Sequence, residues 1–216
     1  MKPSLSYFLT GLLALGALGA RAQQRTQSEA ATAEQRLVED YGLERLPNDV
    51  PAANDARTSA TLLQYGTGNT ARVDQQNLAA PSNQAYMVQA GAANVLGIDQ
   101  TGAGNSLYIT QNGNRNRADF TQNGQGNSST IAQRGNNNQL DGLVEGDRNT
   151  VNVRQEGNNN VVQGRAMVSD KIYEIKQFGN NNTLNQVETS TQVTKGYSVE
   201  MRGQGINLTI EQGKIR

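Results

Sequence analysis

From residue 60 onward, apolar and polar residues alternate in short runs. Between Asn105 and Gln111 the same-parity positions are Leu107 and Ile109, and between Asn116 and Gln122 they are Ala118 and Phe120. Between Asn127 and Gln133 they are Ser129 and Ile131, and between Asn149 and Gln155 they are Val151 and Val153. The intervening residues, such as Ser106, Tyr108, Thr110, Arg117, Asp119 and Thr121, are mostly polar. A period of two over seven residues is a strand with one buried face. Leu96, Ile98, Leu140 and Val162 hold the same parity in neighbouring runs and complete the expected inward apolar set.

The runs recur every eleven residues. Gln stands at Gln89, Gln100, Gln111, Gln122, Gln133, Gln155 and Gln177, with Val144 and Ala166 as exceptions. Two places later come Gly91, Gly102, Gly113, Gly124, Gly135, Gly146, Gly157 and Gly179, missing only at Val168. Five places after the Gln come Asn94, Asn105, Asn116, Asn127, Asn138, Asn149, Asn160 and Asn182, missing only at Lys171. An earlier unit at Gln64, Gly66 and Asn69 and a degenerate one at Gln75 join this frame through an insertion near Pro81-Ser82-Asn83. At the other end, Met201, Gly203 and Asn207 outline a last distorted unit before Gln212 and the basic end Lys214-Ile215-Arg216. An eleven-residue period also fits a right-handed helical coiled coil. A Gly in every unit argues against it, at about 1 kcal/mol each relative to Ala.

The pattern predicts an all-β chain in which each unit is a seven-residue strand followed by a four-residue turn, x-Gly-x-x. Gly takes φ > 0 there without a Cβ clash. Two units make a coil of about 22 residues with two facing strands, and coils stack at about 4.8 Å. About seven such coils form a β-solenoid of the amyloid-like cross-β kind, a rod of roughly 34 Å. The Gln and Asn share parity with the apolar residues, so they point inward at the corners. Buried amides are costly unless bonded, and stacking identical amides bonds them. The rod's two ends carry strand edges that template another chain, and head-to-tail stacking gives an open filament.

Composition narrows the chemistry. Of 216 residues only 35% are hydrophobic and 5% aromatic, while 19 basic residues balance 19 acidic ones. That balance leaves no polycationic footprint for nucleic acid. His and Cys are both absent, removing the commonest general base, thiolate metal sites and disulfides, and no cofactor is implied. At the N-terminus, Lys2, the apolar run Leu9 to Leu18 and Ala20-Arg21-Ala22 read as a secretory signal peptide over 1–22. The run is shorter than the roughly 20 residues that span a bilayer. Residues 23–57 are charged and Ala-rich and read as a flexible leader with a short helix around Ala30 to Tyr41. Residues 58–216 form the repeat domain.

Units such as Ile98-Asp99-Gln100-Thr101-Gly102-Ala103-Gly104-Asn105 and Gln111-Asn112-Gly113-Asn114-Arg115-Asn116-Arg117-Ala118 resemble the repeats of curlins, the subunits of bacterial curli fibres. The family motif Gln-x-Gly-x-x-Asn-x-Ala-x-Val-x-Gln stands in full at Gln64, Gly66, Asn69, Ala71, Val73 and Gln75. The resemblance covers about residues 60–213. It implies an amyloid subunit that crosses the periplasm unfolded, leaves through a dedicated outer-membrane channel and builds adhesive biofilm matrix at the cell surface. Its implied partners are further copies of itself, the other curlin subunit, and the secretion channel with its accessory factors. Motif-bearing units in both halves of the coil and a degenerate, basic C-terminus resemble the minor, nucleating subunit more; the major subunit is the alternative. The leader departs from the family, whose leaders are usually Gly- and Asn-rich.

Three other functions fit the residues less well. A polysaccharide-cleaving β-helix needs clustered carboxylates or bases. Here Asp99, Asp119, Asp141, Glu145, Asp147 and Glu156 are scattered, and the closest three, Asp141, Glu145 and Asp147, read as a solvated face. A calcium-binding β-roll needs Gly-Gly-x-Gly-x-Asp turns, and these turns carry Asn. An ice-binding or polysaccharide-binding solenoid wants a regular outward array, and the outward positions here are mixed.

Overall fold

The computed structural model describes residues 58–189 and 195–213. The expected signal segment 1–22, the leader 23–57 with its short helix, and the basic end 214–216 lie outside them. The described residues contain fourteen strands and no helix. Odd-numbered strands are β1 (Ser59–Thr67), β3 (Gln84–Ala92), β5 (Ser106–Asn114), β7 (Ser128–Asn136), β9 (Thr150–Asn158), β11 (Ile172–Asn180) and β13 (Gly196–Gln204). Even-numbered strands are β2 (Thr70–Asn77), β4 (Val95–Ala103), β6 (Arg117–Gln125), β8 (Gln139–Glu145), β10 (Val161–Met167), β12 (Thr183–Glu188) and β14 (Asn207–Gln212).

Each set forms one seven-stranded sheet in sequence order, with every neighbour parallel. The chain therefore winds as a β-solenoid of seven two-strand coils. Register follows the motif: Gln111 pairs with Gln133 and Gly113 with Gly135, a step of 22 residues. The step widens to 25 where the insertion enters, Gln64 opposite Gln89, and to 24 in the last coil, Gln177 opposite Met201.

Alternation sets the core. In β6 the buried residues are Ala118, Phe120 and Gln122, and in β9 they are Val151, Val153 and Gln155. Leu96, Ile98, Leu107, Ile109, Ile131, Leu140 and Val162 lie in the same interior. The apolar filling is thin, and its irregularities compensate one another across coils. A Cβ on Gly142 would meet the Phe120 ring at 2.5 Å, so the missing side chain at 142 makes room for that ring. Beside it, Gly164 leaves a cavity of about 20 Å³ bordered by Phe120, Val153 and Ile175.

The strand-turn boundary differs from the seven-plus-four division. Pairing continues through the motif Gly, so most strands run nine residues, as in Ser106–Asn114, and the chain reverses over only two, Arg115-Asn116. Gly113 has φ +124°, and a Cβ there would also fall on the carbonyl oxygen of Gly135 in the next coil. Glycine is thus required by close packing of coil on coil as well as by its dihedral. The reversal itself falls to the residue before the Asn, left-handed at Arg115, Asn137, Asn159 and Gly104. Asn and Gly tolerate that region best; Arg115 and Arg148 occupy it with a cost set by the surrounding pairing.

Candidate functional site

The amides form columns along the rod. In the odd sheet, Gln64 Nε2 donates to Gln89 Oε1 at 2.6 Å, Gln89 to Gln111 and Gln111 to Gln133 at 2.8 Å, and Gln133 to Gln155 and Gln155 to Gln177 at 2.9 Å. Each inner Gln spends its second N–H on a backbone carbonyl of the facing sheet, as Gln133 does on Arg117. Gln177 ends the line against Met201 Sδ at 3.6 Å. In the even sheet the column is shorter. Gln75 donates to Gln100 at 2.6 Å and Gln100 to Gln122 at 2.8 Å; Gln122 then turns to Ser129 Oγ at 2.6 Å. Val144, Ala166 and Glu188 fill the remaining slots.

The Asn residues run with the opposite polarity. Asn116 donates both its backbone N–H and Nδ2 to Asn94 Oδ1 in the preceding coil, at 3.0 and 3.2 Å, and a third N–H to the Gly135 carbonyl at 2.8 Å. Asn69, Asn94, Asn116, Asn138, Asn160 and Asn182 form one such corner. Asn105, Asn127 and Asn149 form the other, and Lys171 continues it with its backbone N–H on Asn149. All the motif Gln and Asn from Gln89 to Asn182 are buried, whereas Gln64 is exposed and Asn69 partly exposed at the rod's end.

Several participants escape the eleven-residue frame. Asn83, inside the insertion, takes a corner slot: its Oδ1 accepts the Asn105 N–H at 3.0 Å and its Nδ2 donates to Gly102 at 3.2 Å. An outer column of Asn114, Asn136, Asn158 and Asn180 links successive coils at 3.0 Å. Its signal is a Gly-Asn dipeptide every 22 residues. Ile206, and not Asn207, stands in the last corner slot and gives its N–H to Asn182 Oδ1 at 3.0 Å, because the last coil is two residues longer.

One cluster departs from the amide scheme altogether. Glu188, fully buried, accepts the Tyr173 hydroxyl at 2.6 Å and faces Lys171 Nζ at 3.9 Å. Burial and then the hydrogen bond to Glu188 push the Tyr173 phenol well above its ordinary range. Burial and the same carboxylate push Tyr197 up as well. Outside the rod, side chains also stack from coil to coil. Tyr86 lies over Tyr108 with centroids 5.0 Å apart, and Arg148 bridges to Asp170 at 2.6 Å, whose carboxyl that hydrogen bond holds below its usual range. Among the described residues no group of His, Cys, Asp or Glu is placed to hold a metal ion.

What this arrangement does chemically is bond coil to coil at fixed inward amides, with a motif Gly at each point of closest approach. Residues 146–185 match the family model described as the curlin associated repeat. Over those residues the chain is similar to the curlin repeat. The matched segment spans β9, β10 and β11, including the stretch where Val168 and Lys171 replace the motif residues. No curated protein and no solved structure matches this chain.

Proposed function

We propose that this protein is a structural, non-catalytic subunit of an extracellular curli-type amyloid fibre, and that it is of the minor, nucleating type. The observation that carries the reading is the stack itself: seven parallel coils bonded through inward amides, with each sheet ending on a strand that has no partner among the described residues. The strand β1 is nine residues long and has no charge and no Pro, so nothing in it discourages a further strand. The curlin repeat match supports assembly with chains of the same kind. The N-terminal Lys2, the apolar run to Leu18 and Ala20-Arg21-Ala22 support export, with transit of the periplasm and an outer-membrane channel. Surface adhesion and biofilm matrix follow from a fibre in that location.

The mature chain, starting at Gln23, is expected to show a lag and then sheet-rich filaments that bind an amyloid dye. A chain that stays monomeric and dye-negative, alone and in the presence of curlin seeds, sinks the reading. The minor-subunit assignment is tested by adding the chain at substoichiometric levels to a second curlin. A shortened lag supports it, and an unchanged lag with this chain forming the bulk of the fibre favours the major subunit.

A further inference from the structure

The two ends of the rod offer the next chain different hydrogen-bonding groups. At the N-terminal end, Gln64 and Gln75 spend their N–H groups inward on Gln89 and Gln100, so each Oε1 faces outward as an acceptor. Asn69 is the mirror case. Its Oδ1 is taken by Asn94, and its backbone N–H, which in every later Asn of that corner goes to the preceding Asn, has no such Asn before it among the described residues. This end therefore asks for a donor at two slots and an acceptor at one.

The chain's own C-terminal end answers only once. The residues in the corresponding slots are Met201, Gln212 and Ile206. Gln212 has a donor for Gln75, but a thioether has none for Gln64 and the sec-butyl group of Ile206 accepts nothing from Asn69. The ends differ in openness too: Leu62 in β1 is 41% exposed, against 8% for Val199 and 3% for Met201 in β13. In the odd sheet the edge strand β1 is uncharged, whereas β13 carries Glu200 and Arg202, a usual way to discourage edge pairing. In the even sheet both edges carry charge, Arg72 and Asp74 on β2 and Glu211 on β14. Stacking a second copy would bury an acceptor and a donor with nothing opposite.

We propose that the end face made by β1 and β2 is the addition face of this chain. Its occupant is the last coil of a second curlin-repeat chain that carries Gln in the Met201 slot and Asn in the Ile206 slot, taken in preference to this chain's own C-terminal coil. The inference rests on the fibre reading and adds to it a direction and a partner chemistry. The chain seeds from one end and closes the other.

The test rewrites the C-terminal face to match. In the full mature chain, Met201→Gln with Ile206→Asn supplies both missing groups, and each restored hydrogen bond is worth about five-fold in association. The double variant is expected to self-associate on the order of 20-fold more tightly than wild type by sedimentation, with a correspondingly shorter lag. Each single variant gains about five-fold, and the singles carry the test if circular dichroism shows that the double variant does not fold. Adding Leu62→Lys on β1 is expected to cancel the gain. Equal association of wild type and variants, no association by any of them, or a gain indifferent to Leu62→Lys overturns the proposal. Tighter association that never yields filaments leaves it standing and sinks the fibre reading; filaments of equal lag from wild type and variant do the reverse.

Discussion

The glutamine column of the odd sheet runs through six coils, from Gln64 to Gln177, while that of the even sheet stops after three, at Gln122. Both sheets nevertheless keep the same parallel register. A buried amide needs a polar partner on each side, so each end of a break in these columns needs a compensating group while the interior of an apolar run needs none. Val144 and Ala166 sit side by side as an apolar run and leave no orphan between them. The boundary is where a compensation is needed, and Ser129 supplies it. Its hydroxyl takes the N–H that Gln122 has no Gln to receive, in a slot filled by Leu107 and Val151 in the adjacent coils. Beyond the apolar run, Glu188 restores a polar group to the column, and it brings Lys171 and Tyr173 with it.

The sharpest way to break this comparison is at that last cluster. Lys171→Met leaves the Glu188 carboxylate buried with no cation near it, at a cost of about 3–5 kcal/mol. Repeat stacks open locally, so hydrogen exchange is expected to quicken across β11, β12 and β13 while β3 to β7 keep their protection. Lys171→Asn combined with Glu188→Gln returns both slots to the amides of the repeat and is expected to recover most of the loss. Unchanged protection in Lys171→Met, or a double variant as loose as the single, contradicts the assignment of that pair.

A smaller effect separates the two columns directly. Gln133→Leu strands a donor on Gln111 and an acceptor on Gln155, costing about 2–6 kcal/mol at 1–3 per orphaned group, and also removes the bond to Arg117. Gln122→Leu strands a donor on Gln100 but frees only the Ser129 hydroxyl on its other side, so it costs about half as much. Denaturant titration of the two soluble monomeric variants gives the comparison. Equal losses mean that the continuous column has no advantage over the interrupted one.

How much of this was readable in the chain depends on what each slot repeats. The eleven-residue period and its parity mark Gln111, Asn116, Ala118 and Phe120 as inward because every coil imposes the same demands on those positions, and all four are buried. The extent of the strands was not readable. Local composition puts Gly113 in a turn, whereas pairing with Gly135 above it holds it in the ladder, a tertiary effect. Asn83 was hidden by a frame shift, since the insertion moves the register to 25 residues and only the folded chain shows which Asn lands in the corner. The outer column of Asn114, Asn136, Asn158 and Asn180 repeats at 22, so counting by elevens dilutes it with Ala103, Gln125 and Asp147. Glu188 falls on the glutamine frame 22 residues after Ala166, yet its burial depends on Tyr173 and Lys171, which no period announces.

The least costly test concerns the apolar gap between the two amide regimes of the even sheet. Gly142 and Gly164 stand in the same inward slot of successive coils, opposite Phe120 on one side and Gln186 on the other. A methyl group at 142 collides with the Phe120 ring, and Gly142→Ala is expected to destabilise by about 1–3 kcal/mol as an overpacked core does. At 164 the nearest atom to a new Cβ is Gln186 Oε1 at 3.6 Å, an ordinary contact, and the methyl enters the existing cavity. Gly164 shows no positive φ, so Ala fits its backbone, and Gly164→Ala is expected to stabilise by about 0.4–1 kcal/mol. Opposite signs at two glycines one coil apart follow only if Phe120 occupies the space of residue 142 and leaves that of residue 164 empty. Thermal melts of the two variants that move in the same direction contradict this packing.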